Sequence, residues 1–359
     1  MAKNGRSLKE AKAEKIAKKR RARRRKRAIF LLVEIFILFI LLSIGYVMMK
    51  YGKIQLNMFG DGDIQINEGV EQTGYTTIAL FGGDSREGQL EAGTHADTII
   101  IASINNSTKN IKLVSVYRDT LVEGMEGELE KANSAYFKGG PQEAINMLNK
   151  NLDLDIQHYA TVDFKALADA IDLLGGIEIE VSQQEADAIN DYIVETAMVA
   201  EKDAVMMSGG LQTLDGVQAV TYARIRKNVG GDYARTERQR LVIQKVMEKV
   251  KQTDLGTLNA IIDEVFPQVS TSFTLTEMIK MAASVFQYEI GETSGFPYEV
   301  ADGRVEGVGS VVVPLGLVEN VEELHDFLYP DDEYTASETV IGIAGQIVNV
   351  TGYTREGNP

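Results

Sequence analysis

From Ala28 to Met49 the chain reads AIFLLVEIFILFILLSIGYVMM, an unbroken apolar run whose one ionisable side chain is Glu34. As a helix rising ~1.5 Å per residue, this run spans the ~30 Å hydrocarbon core of a bilayer, so it predicts a membrane helix over residues 28–49. Glu34 lies about two turns from the start of the run, where it can tilt toward the interface, and it is assigned no function. Residues 50–73 turn polar and glycine-containing (GDGDIQINEGVEQTG) and predict a spacer.

Beyond the spacer the pattern changes to short β-branched runs. Tyr75–Phe81 (YTTIALF) predicts a strand that runs into the loop Gly82-Gly83-Asp84-Ser85-Arg86. The runs 97–104 (DTIIIASI) and 111–117 (IKLVSVY) flank the turn-like NNSTKN and predict a β-hairpin. In an antiparallel pair the start of the first strand lies beside the end of the second. Asp97 is therefore expected near Arg118 and Asp119.

Helical spacing follows Pro141, in QEAINMLNKNL, and then a strand is expected near 158–162. A helix over 163–174 stops at Gly175-Gly176 before the strand IEIEV. Strand, helix, strand units of this length indicate an α/β layered domain. A helix over 214–223 leads into Arg224-Ile225-Arg226-Lys227, then NVGGD, then a long helix over 232–252. Further helices are expected at 276–286 and 321–327, with a strand around 310–313. A domain over 74–345 with a flexible tail at 346–359 follows.

Charge divides the chain in two. Residues 1–27 hold 14 Lys and Arg against Glu10 and Glu14, a net charge of +12, whereas the whole chain carries −15. The remainder is therefore strongly acidic. Basic residues packed before the apolar run place the arm in the cytoplasm and the large C-terminal part outside. No A-x-A-like cleavage site follows the run, which favours a retained anchor over a removed signal peptide. The arm has no aromatic side chain to stack bases, so nucleic acid is not expected as a partner. Cysteine is absent, which excludes disulfides, thiolate nucleophiles and Cys-based zinc sites. His95, His158 and His325 are too scattered for a histidine metal motif, and there is no G-x-S-x-G elbow, P-loop or dinucleotide fingerprint.

Against this acidic background, five of the nine arginines beyond the apolar run fall at Arg224, Arg226, Arg235, Arg238 and Arg240. A permanently charged planar guanidinium suits phosphate oxygens, so an anionic ligand is expected there. Arg224 and Arg226 alternate across a stretch taken as extended, which sets both side chains on one side. Arg235 and Gln239 share a helix row that continues into Val242 and Val246, so these polar groups face inward and need a partner. Arg238 and Arg240 are expected to be surface charges. Arg118 and Lys131 sit at strand ends or loops and can join the same pocket, Arg118 by clamping a phosphate or by pairing with a neighbouring carboxylate. Asp84 and Asp97, each at a strand–loop junction, would together form an oxygen-ligand site for Mg²⁺; each serves equally well as a turn cap.

The strand-GGDSR loop, HADTIIIASIN, KLVSVYRDT, KANSAY, the helix-GGIEI turn, TYARIRK and DYARTERQR occur in this order in the LytR-CpsA-Psr family of bacterial envelope proteins, which this chain resembles over 74–252 and more loosely to 345. The resemblance implies an α/β/α sandwich around a mixed central sheet, behind one N-terminal transmembrane helix, with a hydrophobic pocket for a polyprenyl chain. It also implies an enzyme on the outer face of the plasma membrane. Such an enzyme moves a glycopolymer, such as teichoic acid or capsular polysaccharide, from undecaprenyl pyrophosphate to peptidoglycan. The family's magnesium aspartates fall on Asp84 and Asp97, with Mn²⁺ as the alternative ion. Its pyrophosphate-binding residues fall on Arg118, Arg224, Arg226 and Arg235, with Gln239 and Lys131 assisting. Catalysis is thereby placed on Asp97, Arg118 and Arg226. Many members have Arg-Ser-Asp-Thr where this chain has His95-Ala96-Asp97-Thr98, so a fixed positive charge is not expected at His95. Two other functions compete with transfer: a non-catalytic envelope regulator, and a polyprenyl-pyrophosphate phosphatase with water as acceptor.

Overall fold

A computed structural model describes residues 37–60, 62–83, 90 and 92–356, and divides the chain into two units, Met1–Lys53 and Ile54–Pro359. In the first unit residues 37–51 form helix α1, on which Leu38, Phe39, Leu41, Leu42 and Met48 are all exposed. No helix of the described residues is long and apolar enough to cross a membrane. Residues 28–36 of the expected span, Glu34 among them, lie outside the described residues, as does the basic arm.

The second unit is built on a seven-stranded mixed sheet. Its strands are β1 (Gln55–Leu56), β2 (Tyr75–Gly83), β3 (Ala96–Asn105), β4 (Asn110–Val116), β7 (His158–Asp163), β10 (Val269–Thr271) and β11 (Glu289–Phe296), in the order β1-β10-β7-β2-β3-β4-β11. The expected hairpin is present: β3 and β4 pair antiparallel with Ile100 opposite Ser115. Strand β2 pairs antiparallel with β3 and parallel with β7, so Gly83 lies beside both Ala96 and Asp163. The end of β2, the end of β7 and the start of β3 thus share one edge, as is usual for ligand crevices in α/β sheets.

Strand β3 is buried along nearly its whole length because helices cover both sheet faces. On one face Phe81, Ile99, Ile101 and Val114 pack with Ile145 and Leu148 of helix α2 (Ala132–Leu152), which kinks at Gly139–Gly140 just before Pro141. The small pair β5 (Leu121–Glu123) and β6 (Leu129–Lys131) precedes that helix. On the opposite face Ile78, Ile100 and Leu113 form a smaller cluster.

A second core gathers helix α3 (Phe164–Leu173), the pair β8 (Ile177–Val181) and β9 (Gly210–Leu214), helix α4 (Gln183–Ala200) and helix α5 (Gly216–Tyr222). Helix α6 (Gly231–Val250) follows, then α7 (Leu255–Val265), α8 (Leu275–Ala283), the hairpin β12 (Val300–Val305) and β13 (Gly309–Pro314), and α9 (Leu317–Leu328). The last helix, α10 (Glu338–Thr351), buries Val340, Ile343 and Ile347. The flexible tail expected from residue 346 is therefore corrected through Thr351, because Ile347 sits in the core at a helical spacing from Ile343. The spacer also differs from expectation. Phe59 and Ile64 pack on the main core, and the Asn67 amide donates to the buried Asp153 carboxylate at 2.5 Å.

One glycine fixes how the second core closes. A Cβ on Gly216 would lie 2.1 Å from the Ala168 carbonyl oxygen, so α5 and α3 touch backbone to backbone. Alanine would add up to ~1 kcal/mol of helix propensity but overpacks a contact between two backbones, which cannot yield as a side chain can. Gly216→Ala is expected to destabilise the domain by about 1–3 kcal/mol. An unchanged denaturant midpoint would show that the two helices can part without cost.

Candidate active site

Helix α5 stops at Tyr222, and residues 223–230 turn back before α6 begins at Gly231. The stretch carrying Arg224 and Arg226 is thus a turn and not the extended segment that alternation suggested. Asn228, Gly230 and Gly231 all have positive φ, at 64°, 87° and 69°, which closes the turn too tightly for a strand. Arg224 and Arg226 nonetheless line one cleft of about 290 Å³ with Asp97, Arg235, Gln239 and Lys227. That size is near the lower end of the ~300–1,000 Å³ usual for small-ligand sites, enough for a charged head group.

The sheet supplies the other side. Arg118, just past the end of β4, donates through Nη1 to Asp97 Oδ1 at 2.5 Å. This is the contact that hairpin geometry requires. Arg226 approaches the other Asp97 oxygen at 4.0 Å and reaches Asp232 at 3.4 Å. Arg235 is 2 % exposed and bonds Asp232 through Nη2 at 2.9 Å, while its Nε has no partner among the described residues. Gln239 donates to the Ala223 carbonyl at 3.4 Å and leaves its buried Oε1 unpartnered there too. Buried polar atoms without partners are uncommon, and at the wall of a cleft they point to a ligand.

The electrostatics agree. Burial lowers the Arg226 pKa, and the neighbouring Arg118 guanidinium lowers it further. For Arg118 burial works against the charge, but Asp97, Asp119 and Asp232 together outweigh it and hold the pKa up. Burial raises the Asp232 carboxyl despite Arg226 and Arg118. Several guanidinium groups crowded into a partly desolvated cleft repel one another, and an anion would relieve that cost.

Two of the expected phosphate ligands do not line the cleft: Arg118 reaches it through Asp97, and Lys131 pairs through Nζ with Asp119 at 2.8 Å. Asp84, half of the expected metal pair, lies outside the described residues. Among the described residues no group of three carboxylates or histidines could hold a metal. His95 is exposed, stacks on Phe137 at 4.5 Å and is not among the described residues that line the cleft.

The surface assignment of Arg238 and Arg240 is overturned: they are 5 % and 6 % exposed. Arg238 points back into the turn and donates to the carbonyls of Tyr222, Ile225 and Val229, with Glu185 of α4 at 3.5 Å. Arg240 lies against the sheet near Tyr117, its pKa lowered by burial.

Sequence reasoning missed the remaining lining of the cleft. Phe164, at the start of α3, lies 4.5 Å beneath the Arg224 guanidinium, whose Nη1 donates to Thr196 Oγ1 at 3.1 Å. Tyr192, Glu195 and Thr196 of α4 form a second wall. Asp232 could have been found, since it opens the DYARTERQR motif; α4 carries no such mark.

The LytR_cpsA_psr family model matches residues 49–323. The polyisoprenyl-teichoic acid–peptidoglycan teichoic acid transferase TagU of Enterococcus faecalis is 31% identical over 210 residues, 57% of this chain and 64% of that protein. The chain thus spans less than two thirds of the length of that relative. The fold is shared with crystalline Bacillus subtilis TagT, at TM-score 0.56 and 20% identity over 77% of this chain and 99% of that one. It is also shared with the LytR-CPS2A-psr family protein YwtF (TagT) with bound octaprenyl pyrophosphate lipid, at TM-score 0.55 and 18% identity over 76% and 99%. With the family model covering most of its length, this chain belongs to the LytR-CpsA-Psr family.

Proposed function

We propose that this protein transfers a glycopolymer from a polyprenyl-diphosphate carrier to peptidoglycan. The observation that carries the proposal is the convergence of Arg224 and Arg226 from the turn, Arg235 and Gln239 from α6 and Asp97 from β3 on one cleft, with Arg118 held on Asp97. A relative named for moving polyisoprenyl-linked teichoic acid and a neighbour holding octaprenyl pyrophosphate support the choice of donor. Support for the lipid part comes from α6, α8 and β11. There Ile243, Met278, Met281 and Ile290 stay half-exposed against the apolar sheet face, as the wall of a chain-binding groove would be.

The chemistry needs no covalent protein intermediate. An acceptor sugar hydroxyl attacks the phosphorus bonded to the glycan, a new P–O bond forms as the hydroxyl proton passes to solvent, and the bond to the bridging oxygen breaks. Polyprenyl phosphate leaves as the glycan phosphodiester is made. Charge grows on the phosphoryl and leaving oxygens, and Arg118, Arg226 and Arg235 are the groups that would stabilise it. Asp97 and Asp84 are the candidate holders of Mg²⁺ or Mn²⁺. Carboxylate oxygens in a chain without cysteine suit hard cations, and a bound ion would neutralise diphosphate charge. The basic flank and apolar run support an anchor in the plasma membrane with the N-terminus cytoplasmic and this domain outside.

Purified full-length protein, given polyprenyl-diphosphate-linked saccharide, Mg²⁺ and peptidoglycan, is expected to release polyprenyl phosphate and leave the saccharide joined to the glycan. Release of phosphate-terminated saccharide at the same rate without peptidoglycan would instead make it a phosphatase. No release at all would favour a regulator.

A further inference from the structure

The cleft's second wall contains a group that the arginines do not explain. Tyr192, Glu195 and Thr196 stand at i, i+3 and i+4 on α4 and therefore share one face of it. Thr196 is 1 % exposed and is occupied by Arg224. Tyr192 is 40 % exposed, and Glu195 is exposed and makes no hydrogen bond or ion pair among the described residues. The other carboxylates at the cleft are engaged, Asp97 by Arg118 and Asp232 by Arg226 and Arg235.

A free carboxylate beside an anion site weakens the hold on a diphosphate by repulsion, so its place there calls for a ligand group that donates protons. Ionised carboxylate only accepts hydrogen bonds, whereas the cationic side chains that line the same cleft, Arg224, Arg226, Lys227 and Arg235, only donate, and its other carboxylate, Asp97, is taken up by Arg118. Sugar hydroxyls need acceptors, and the C–H face of a pyranose needs an apolar surface. Glu195 supplies the first and the Tyr192 ring the second, one helical turn apart.

We infer that Tyr192 and Glu195 form a pyranose subsite beside the diphosphate site. The sugar is either the one joined to the diphosphate or the one bearing the attacking hydroxyl. Glu195 accepts from its hydroxyls, and Tyr192 covers one face of the ring. This subsite rests on the glycan transfer proposed above.

The test uses the full-length protein, Glu195→Gln and Tyr192→Ala, both at exposed positions, with thermal melts to confirm equal folding. Binding is measured for decaprenyl diphosphate with and without one N-acetylhexosamine, and turnover is followed while a soluble peptidoglycan oligomer is varied. If the sugar is the donor's, both variants bind the sugar-bearing lipid roughly tenfold or more weakly and the sugar-free lipid as tightly as wild type or more so. If it is the acceptor's, the lipids bind equally in all three proteins, and KM for the oligomer rises by a similar factor. Equal binding of both lipids together with an unchanged oligomer KM would overturn the subsite, as would parallel weakening of both lipids. If wild type transfers nothing, the transfer proposal fails, and a sugar-dependent difference in lipid binding still decides the subsite.

Discussion

Arg226→Ala is expected to lower kcat/KM by about 10²–10³-fold with little loss of stability, the range seen when one preorganised donor to a developing oxyanion is removed. Two observations set that size. The Arg226 side chain is 37% exposed, so deleting it leaves little buried surface unfilled. It also stands 4.0 Å from Asp97 and 3.4 Å from Asp232, bridging the sheet edge and the start of α6 across the cleft. No other described arginine joins these two carboxylates.

Arg226→Lys should recover only part of the loss. It restores the charge, but a compact ammonium cannot present parallel N–H groups to phosphate oxygens. The loss should fall chiefly on kcat if Arg226 meets charge that exists only in the transition state, and on KM if it holds the ground-state diphosphate. Steady-state kinetics on the lipid-linked donor decide between these. Turnover by Arg226→Ala at the wild-type rate would remove Arg226 from the site.

The parts of this site that were legible in the sequence share a physical cause. Asp97 and Arg118 were placed together because an antiparallel hairpin leaves no other arrangement of its ends. Arg235 and Gln239 were read as inward-facing because their helix row runs on into Val242, which is buried. What the sequence hid depends on contacts between elements. Arg238 shares a helix face with Arg235 and Gln239, yet was expected at the surface, because its burial follows from three carbonyls that the folded-back turn aims at one point. Tyr192 and Glu195 look like any solvated helix face until α4 is seen opposite the arginines. Lys131, a lysine at a strand end, matches a ligand pattern and is held by Asp119, which also lies beside Arg118. The half-exposed apolar residues of α6 and α8 were likewise invisible, because a groove lining and a core have the same composition.

Arg238 carries the other large expected effect, through the turn and not through the ligand. Its Nε donates to the Tyr222 carbonyl at 3.1 Å, Nη1 to Val229 at 3.0 Å and Nη2 to Ile225 at 2.5 Å. One planar fork thus ties down both sides of the segment from which Arg224 and Arg226 project. The guanidinium also lies 5.8 Å from the Tyr222 ring centroid, within the range of cation–π attraction. Arg238→Ala would strand these carbonyls in a closed environment, and the loss of a buried charged partner typically costs about 3–5 kcal/mol. That is a large part of the ~5–15 kcal/mol that holds a domain folded. Arg238→Lys keeps the charge and most of the stem but cannot span three divergent acceptors. It should stay folded at low temperature, with KM for the lipid-linked donor raised about tenfold or more as Arg224 and Arg226 lose their fixed directions. Chemical denaturation measures the first effect and donor kinetics at 15–25 °C the second. Added guanidinium should restore part of the donor affinity to Arg238→Ala, which general loss of stability would not predict. A lysine variant matching wild type in both stability and donor KM would show that the turn holds its shape without the fork.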